Sequence, residues 1–142
     1  MIIFLDIDGV LHPEPCYDEA KLFFCLPRLE HVLREFKLIK IVISSTWRET
    51  RSLSDLRKYF SADIAERILG VTPNWREVPE LIEISGYQHH AEIEGRLRQS
   101  GSPWQSWVAI DDKPYLFKPF LKNLVKKNLS AAFDALAEEV LR

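Results

Sequence analysis

Four carboxylates and a hydroxyl cluster stand out by type and spacing. Asp6-Ile7-Asp8-Gly9 carries two acids one residue apart, and Asp111-Asp112 carries two side by side. Taken singly, the first stretch also reads as a strand end followed by a turn, with Gly9 letting the backbone bend or approach a ligand. A lone acidic pair likewise reads as a solvated turn. Brought together, the two pairs repel, and a divalent cation relieves that repulsion. An all-oxygen donor set that keeps some water suits Mg²⁺. Ser44-Ser45-Thr46 adds hydroxyls and backbone N–H groups in the arrangement that cradles a phosphate, although the same residues serve as ordinary helix caps.

The elements around these residues give them a common location. Ile2 to Leu5, Ile39 to Ile43 and Trp107 to Ile110 are short apolar runs, and each stops at one of these polar groups. Such runs read as strands buried on both faces of a parallel sheet. Between them lie helical patterns. Pro27 opens a helix with Leu29, Val32, Leu33 and Phe36 on one side, and Leu53, Leu56 and Phe60 form a second apolar face. Ser61 is expected to cap a turn running through Ile64 and Ile68 to a stop at Gly70. Ala91 to Gln99 forms another helix, with Gly101 beyond its end. Ser130 caps a last one carrying Phe133, Leu136, Val140 and Leu141. Ile68 to Val71 and Leu121 to Val125 are weaker strand candidates. The alternation predicts a single α/β domain over residues 1–142, with a mostly parallel sheet and right-handed crossovers. Ligands in such sheets bind outside the carboxyl ends of the strands, which puts Asp6, Asp8, Ser44, Ser45, Asp111 and Asp112 in one crevice.

Composition agrees with a globular chain: 142 residues, 46% hydrophobic, 28% charged and a net charge of −2. No global field draws it to nucleic acid or to anionic membranes, so nucleic-acid contact would rest on a local patch. Cys16 and Cys25 are expected as free thiols. The N-terminus lacks the basic region of a secretory signal, and no apolar run approaches the ~20 residues of a membrane span. The expected compartment is the cytoplasm. Trp47, Trp75, Trp104 and Trp107 are expected in the core or at its rim, with Trp47-Arg48 the best candidate for a site role. Lys122, Lys126 and Lys127 read as a solvated face.

In their order along the chain, Asp6-Ile7-Asp8-Gly9-Val10, Ser44-Ser45-Thr46-Trp47-Arg48 and Asp111-Asp112 resemble the haloacid dehalogenase (HAD) superfamily. The longer stretches Leu5 to Pro13 and Ile43 to Arg48, with Gly70-Val71-Thr72-Pro73 and Ala91-Glu92-Ile93, are similar to small HAD domains found alone or fused to RNA repair proteins. The resemblance implies a Rossmann-like three-layer sandwich and a phosphomonoesterase. It implies Asp6 as the nucleophile forming an aspartyl-phosphate, and Asp8 as the acid that protonates the leaving group and then activates water. It implies Mg²⁺ held by Asp6, the Asp8 carbonyl and Asp111, with Asp112 as a ligand or just behind one. A hydroxyl from Ser44 or Ser45 would bind phosphate. The superfamily also places a Lys or Arg before the last acidic strand, and in relatives of this small family an Arg is expected just ahead of the Glu-Ile pair. Here that place reads His89-His90. The missing cation is expected from His89, His90 or Arg96, with Arg48 and Lys113 next in line.

HAD enzymes often insert a cap after the first motif or between the second and third. Here the elements above use up most of both intervals, leaving at most a flap from Thr72 to Tyr87. An essentially capless site cannot enclose a small metabolite. The expected partner is therefore a phosphate on a macromolecule, and the resemblance makes a nucleic-acid end the first candidate. The alternative is a weak or inactive phosphate-binding module of the same fold. A signalling receiver, which also has an acidic Mg²⁺ pocket, fits less well because its adjacent acids follow the first strand.

Overall fold

The computed structural model describes residues 1–12, 16–119 and 121–126. Five parallel strands form one sheet: β1 (Ile2–Leu5), β2 (Lys40–Ile43), β3 (Ile68–Val71), β4 (Trp107–Asp111) and β5 (Leu124–Lys126), in the order β3-β2-β1-β4-β5. The central strand β1 is buried along its whole length, which is why it reads as an unbroken apolar run. Its alternate residues feed two cores. Ile3 and Leu5 pack with Leu29, Leu33, Leu56 and Ile64 on one face. Ile2 and Phe4 pack with Ile93, Leu97 and Phe117 on the other. The first face is covered by α1 (Leu26–Glu35), α2 (Leu53–Arg57) and α3 (Ala62–Ala65), and the second by α5 (Gln88–Gln99). The three-layer, Rossmann-like α/β arrangement follows from that period-two division.

Register fixes the site. Leu5 pairs with Ile43 on β2 and with Ile110 on β4, so the next residue on each strand is Asp6, Ser44 or Asp111. The backbone ties hold one step further: Asp6 N–H donates to Ile110 O at 3.0 Å and Ser44 N–H to Leu5 O at 2.8 Å. Strand register, not proximity in sequence, brings these three side chains together.

Four expectations change. The turn begun at Ser61 does not run on to Gly70: α3 stops at Ala65, and Ile68–Val71 is strand β3, as its weaker strand reading expected, with Gly70 paired to Val42. Ser61 Oγ leaves its own helix uncapped and donates instead to buried Glu30 on α1 at 2.8 Å. The stretch from Thr72 to Tyr87 is not a loose flap. It holds a 3₁₀ turn (Trp75–Glu77) and α4 (Pro79–Ser85), and Val78 and Leu81 pack on Ala91 of α5. Trp104 is 80% exposed rather than packed. The last strand begins at Leu124, later than the sequence suggests. The helix expected from Ser130 lies outside the described residues, as does Lys127. Cys16 and Cys25 are unbridged. Among the described residues, no helix is long and apolar enough to cross a membrane.

Candidate active site

Asp6, Asp111 and Asp112 each offer a carboxylate oxygen, and the three oxygens lie within 4.8 Å of one another. Asp6 and Asp111 are buried, 6% and 1% exposed. Gly9 allows the two acidic loops to meet. Its φ is +78°, which suits glycine, and a Cβ there would collide with the Asp112 carboxylate. Burial, then the Asp111 charge, then a hydrogen bond with the Asp112 side chain push the Asp6 carboxyl up to about 9. Without a cation the cluster therefore holds a proton. Asp112 Oδ1 is buried with no hydrogen bond, although Lys113 Nζ lies 3.5 Å away. Crowded hard oxygens, one of them unsatisfied, fit a small divalent ion such as Mg²⁺.

The Asp8 carboxylate stands apart from that cluster. His12 Nε2 lies 2.8 Å from its Oδ1, and Trp47 Nε1 donates to both oxygens at 3.0 Å. Phe23 N–H donates to His12 Nδ1 at 3.2 Å. That nitrogen must be bare to accept, so a neutral imidazole carries its hydrogen on Nε2 and donates to Asp8. Sequence reading missed His12. Its position four residues after Asp8 was the available signal, but a loop has no helical spacing to make that meaningful.

The hydroxyls after β2 divide. Ser45 Oγ accepts from Trp47 N–H at 3.3 Å and caps a 3₁₀ turn (Thr46–Glu49). Ser44 Oγ is buried with no hydrogen bond. Neither serine lines the cleft beside Asp6 and Asp8. That cleft, about 390 Å³, is lined also by Thr46, Gln88, His89, Lys113, Tyr115 and Leu116. Behind it, Arg48 donates to Ser45 O at 2.7 Å and to Glu92 on α5 at 2.6 Å. Both side chains are nearly buried, 8% and 3% exposed. Glu92 also accepts from Trp75 N–H at 2.8 Å. Burial raises the Glu92 carboxyl, while Arg48 and that N–H work the other way. Arg48 is thus engaged in fastening the loop after β2 to α5.

The candidate cations separate in the same way. His89 lines the cleft and its Nδ1 lies 2.7 Å from Asp111 Oδ2. His90 is turned away: its Nε2 lies 3.1 Å from Glu94, and its ring packs edge-on against Trp107 and Phe117. Burial lowers its pKa. Arg96 is not at the cleft. Its guanidinium covers Gly70, within 3.2 Å of where a Cβ would stand, on a strand two places from β1. The phosphate-binding role expected of Arg96 does not fit that position.

An all-parallel α/β sheet with an acidic cluster and a hydroxyl loop at its strand ends defines a HAD-like domain. Residues 2–135 match the family described as the HAD domain in Swiss Army Knife RNA repair proteins, and the chain belongs to that family. No curated protein and no solved structure matches the chain significantly.

Proposed function

We propose that the protein is a Mg²⁺-dependent phosphomonoesterase acting through an aspartyl-phosphate on Asp6. The observation that carries this reading is the meeting of Asp6, Asp111 and Asp112 within 4.8 Å, beside an Asp8 held by its own donors. Asp6, the Asp8 carbonyl and Asp111 would hold the ion, with Asp112 at its edge. The ion would offset the charge between a phosphate and an anionic nucleophile.

An Asp6 oxygen attacks phosphorus, the bond to the leaving oxygen breaks, and the Asp8 proton passes to that oxygen. Water then attacks the acyl-phosphate, Asp8 takes its proton, and phosphate leaves with Asp6 restored. Asp8 Oδ1 takes the His12 bond and a share of Trp47, so Oδ2 has more room for the working proton. Thr46, which lines the cleft, brings a hydroxyl to the phosphate, and His89 supplies the polar group that the superfamily draws from Lys or Arg. The family description names RNA repair proteins, which supports a nucleic-acid end as the substrate.

Hydrolysis of p-nitrophenyl phosphate with and without Mg²⁺ tests the reading. Turnover should require the ion, and Asp6→Asn should lower it by several orders of magnitude. Near-wild-type turnover by Asp6→Asn would show that Asp6 is not the nucleophile.

A further inference from the structure

Beside Asp8 three aromatic rings are packed together. Phe23 stacks on Tyr59 with centroids 4.3 Å apart and planes at 17°. Trp47 meets both rings edge-on, at 5.3 Å and 5.6 Å. Phe23 is held at a φ of +58°, the single non-glycine residue with positive φ among the described residues. A bulky side chain in that region is strained, and such strain concentrates at functional sites. The His12 bond to its N–H ties the strained residue directly to the group that holds Asp8.

The outer rim of this cluster carries two cations and one carboxylate. Arg51 Cζ sits 4.0 Å from the centre of the Trp47 ring, and Lys58 stands nearby, paired at 3.4 Å with Asp55. A cleft of about 400 Å³ is lined by Arg51, Asp55, Lys58 and Tyr59, and Tyr59 is 42% exposed. One ring, Trp47, separates this cleft from Asp8. It donates to Asp8 on one side and touches Tyr59 on the other.

We propose that the Tyr59–Arg51–Lys58 cleft holds the nucleoside next to the terminal phosphate of a single-stranded nucleic acid. The proposal rests on the phosphomonoesterase reading of the neighbouring site and adds a binding subsite for its substrate. A part-exposed aromatic ring with cations at its rim matches a base followed by a backbone phosphate, and such stacking tolerates any base. A net charge of −2 does not oppose this, because only the local cations need meet the backbone. A phosphopeptide would offer the same terminal phosphate without a regular alternation of flat rings and anions.

Two measurements test the proposal on the full chain. The first is the ratio of kcat/KM for an end-phosphorylated oligonucleotide to that for p-nitrophenyl phosphate. Tyr59→Ala should lower this ratio about tenfold or more, Tyr59→Phe should keep it, and Lys58→Glu should lower it without disturbing the ring packing. An unchanged ratio in both Tyr59→Ala and Lys58→Glu would overturn the assignment, as would an equal fall in the ratio measured with a phosphopeptide. The second is anisotropy of a fluorescent, end-phosphorylated trinucleotide on Asp6→Asn, with the same substitutions added. Binding should weaken with Tyr59→Ala and Lys58→Glu, and its salt dependence should flatten with Arg51→Gln. If wild-type protein shows no p-nitrophenyl phosphate turnover, the phosphatase reading fails, while trinucleotide binding still decides the cleft: loss with Lys58→Glu supports it and no change overturns it.

Discussion

The hydrogen bond between His12 and Asp8 has a fixed direction. His12 Nε2 lies 2.8 Å from Asp8 Oδ1, and because His12 Nδ1 accepts from Phe23 N–H, the neutral ring donates toward Asp8. His12 therefore acts on Asp8 as a donor that fixes its orientation. His12→Gln preserves an N–H at the position of Nε2, whereas His12→Ala removes it. The expected outcome is a fall in kcat of about ten- to a hundredfold in the alanine variant with KM little changed, and substantial rescue by glutamine. Steady-state kinetics with a poor leaving group make the comparison. Equal damage in both variants would point to packing alone.

Asp6 links metal, pH and stability. Its folded pKa of about 9 lies above the ordinary 3.8, so without metal the folded state holds a proton that the unfolded chain releases. Stability from this group is full at low pH and is lost as pH rises from about 4 through about 9. Mg²⁺ takes over the proton's task of neutralising the cluster. Urea midpoints measured between about pH 5 and pH 8 should fall with pH in EDTA and fall less in Mg²⁺. Asp6→Asn should flatten the slope in EDTA.

Gly9 answers to two demands at once, a φ of +78° and contact with Asp112. Gly9→Ala should push the two acidic loops apart. Mg²⁺ binding by calorimetry should weaken at least tenfold, with stability down by about 1–3 kcal/mol from backbone strain. Retention of full Mg²⁺ affinity would mean that the contact is dispensable.

His89 and Arg96 should differ sharply. His89→Ala should reduce turnover at least tenfold, since it removes the Asp111 partner at the cleft. Arg96→Ala should change stability more than kcat/KM, because the guanidinium covers Gly70. Phosphatase assays and urea denaturation on the two variants give the comparison.

Glu92→Ala should be among the most destabilising single changes. It leaves Arg48 nearly buried without its carboxylate and removes the acceptor for Trp75 N–H. Breaking a buried pair from one side costs about 3–5 kcal/mol. Urea unfolding measures this. Glu92→Gln, which keeps an oxygen for both donors, should lose less.

Strands β1, β2 and β4 were legible because their code is local: a short run of β-branched and apolar residues, ended by a polar one, suits a strand buried on both faces. Once three such runs were recognised, the strand-end rule placed Asp6, Ser44 and Asp111 together, and the register bears out that placement. Local patterns gave way where two periods compete. Ile64 and Ile68 satisfy helical spacing, but Ile68 and Gly70 belong to β3, because pairing with β2 outweighs a helix of little more than one turn.

Tertiary structure alone decided the rest. Ser44 and Ser45 have identical chemistry, and only the turn geometry commits Ser45 to a cap and leaves Ser44 unpaired. His89 and Arg96 are seven residues apart on one helix, two turns along the same face and about 10 Å apart along its axis. Spacing could not say which lay over the strand ends; the seating of α5 on the sheet puts His89 at the cleft and Arg96 over Gly70. Trp47 reaches Asp8 across 39 positions of sequence and His12 reaches it across a loop. Sequence determined which chemical groups stand at the strand ends, because strand endings are set by neighbours. Packing of one element on another determined which groups face each other, because those distances belong to no single stretch of chain.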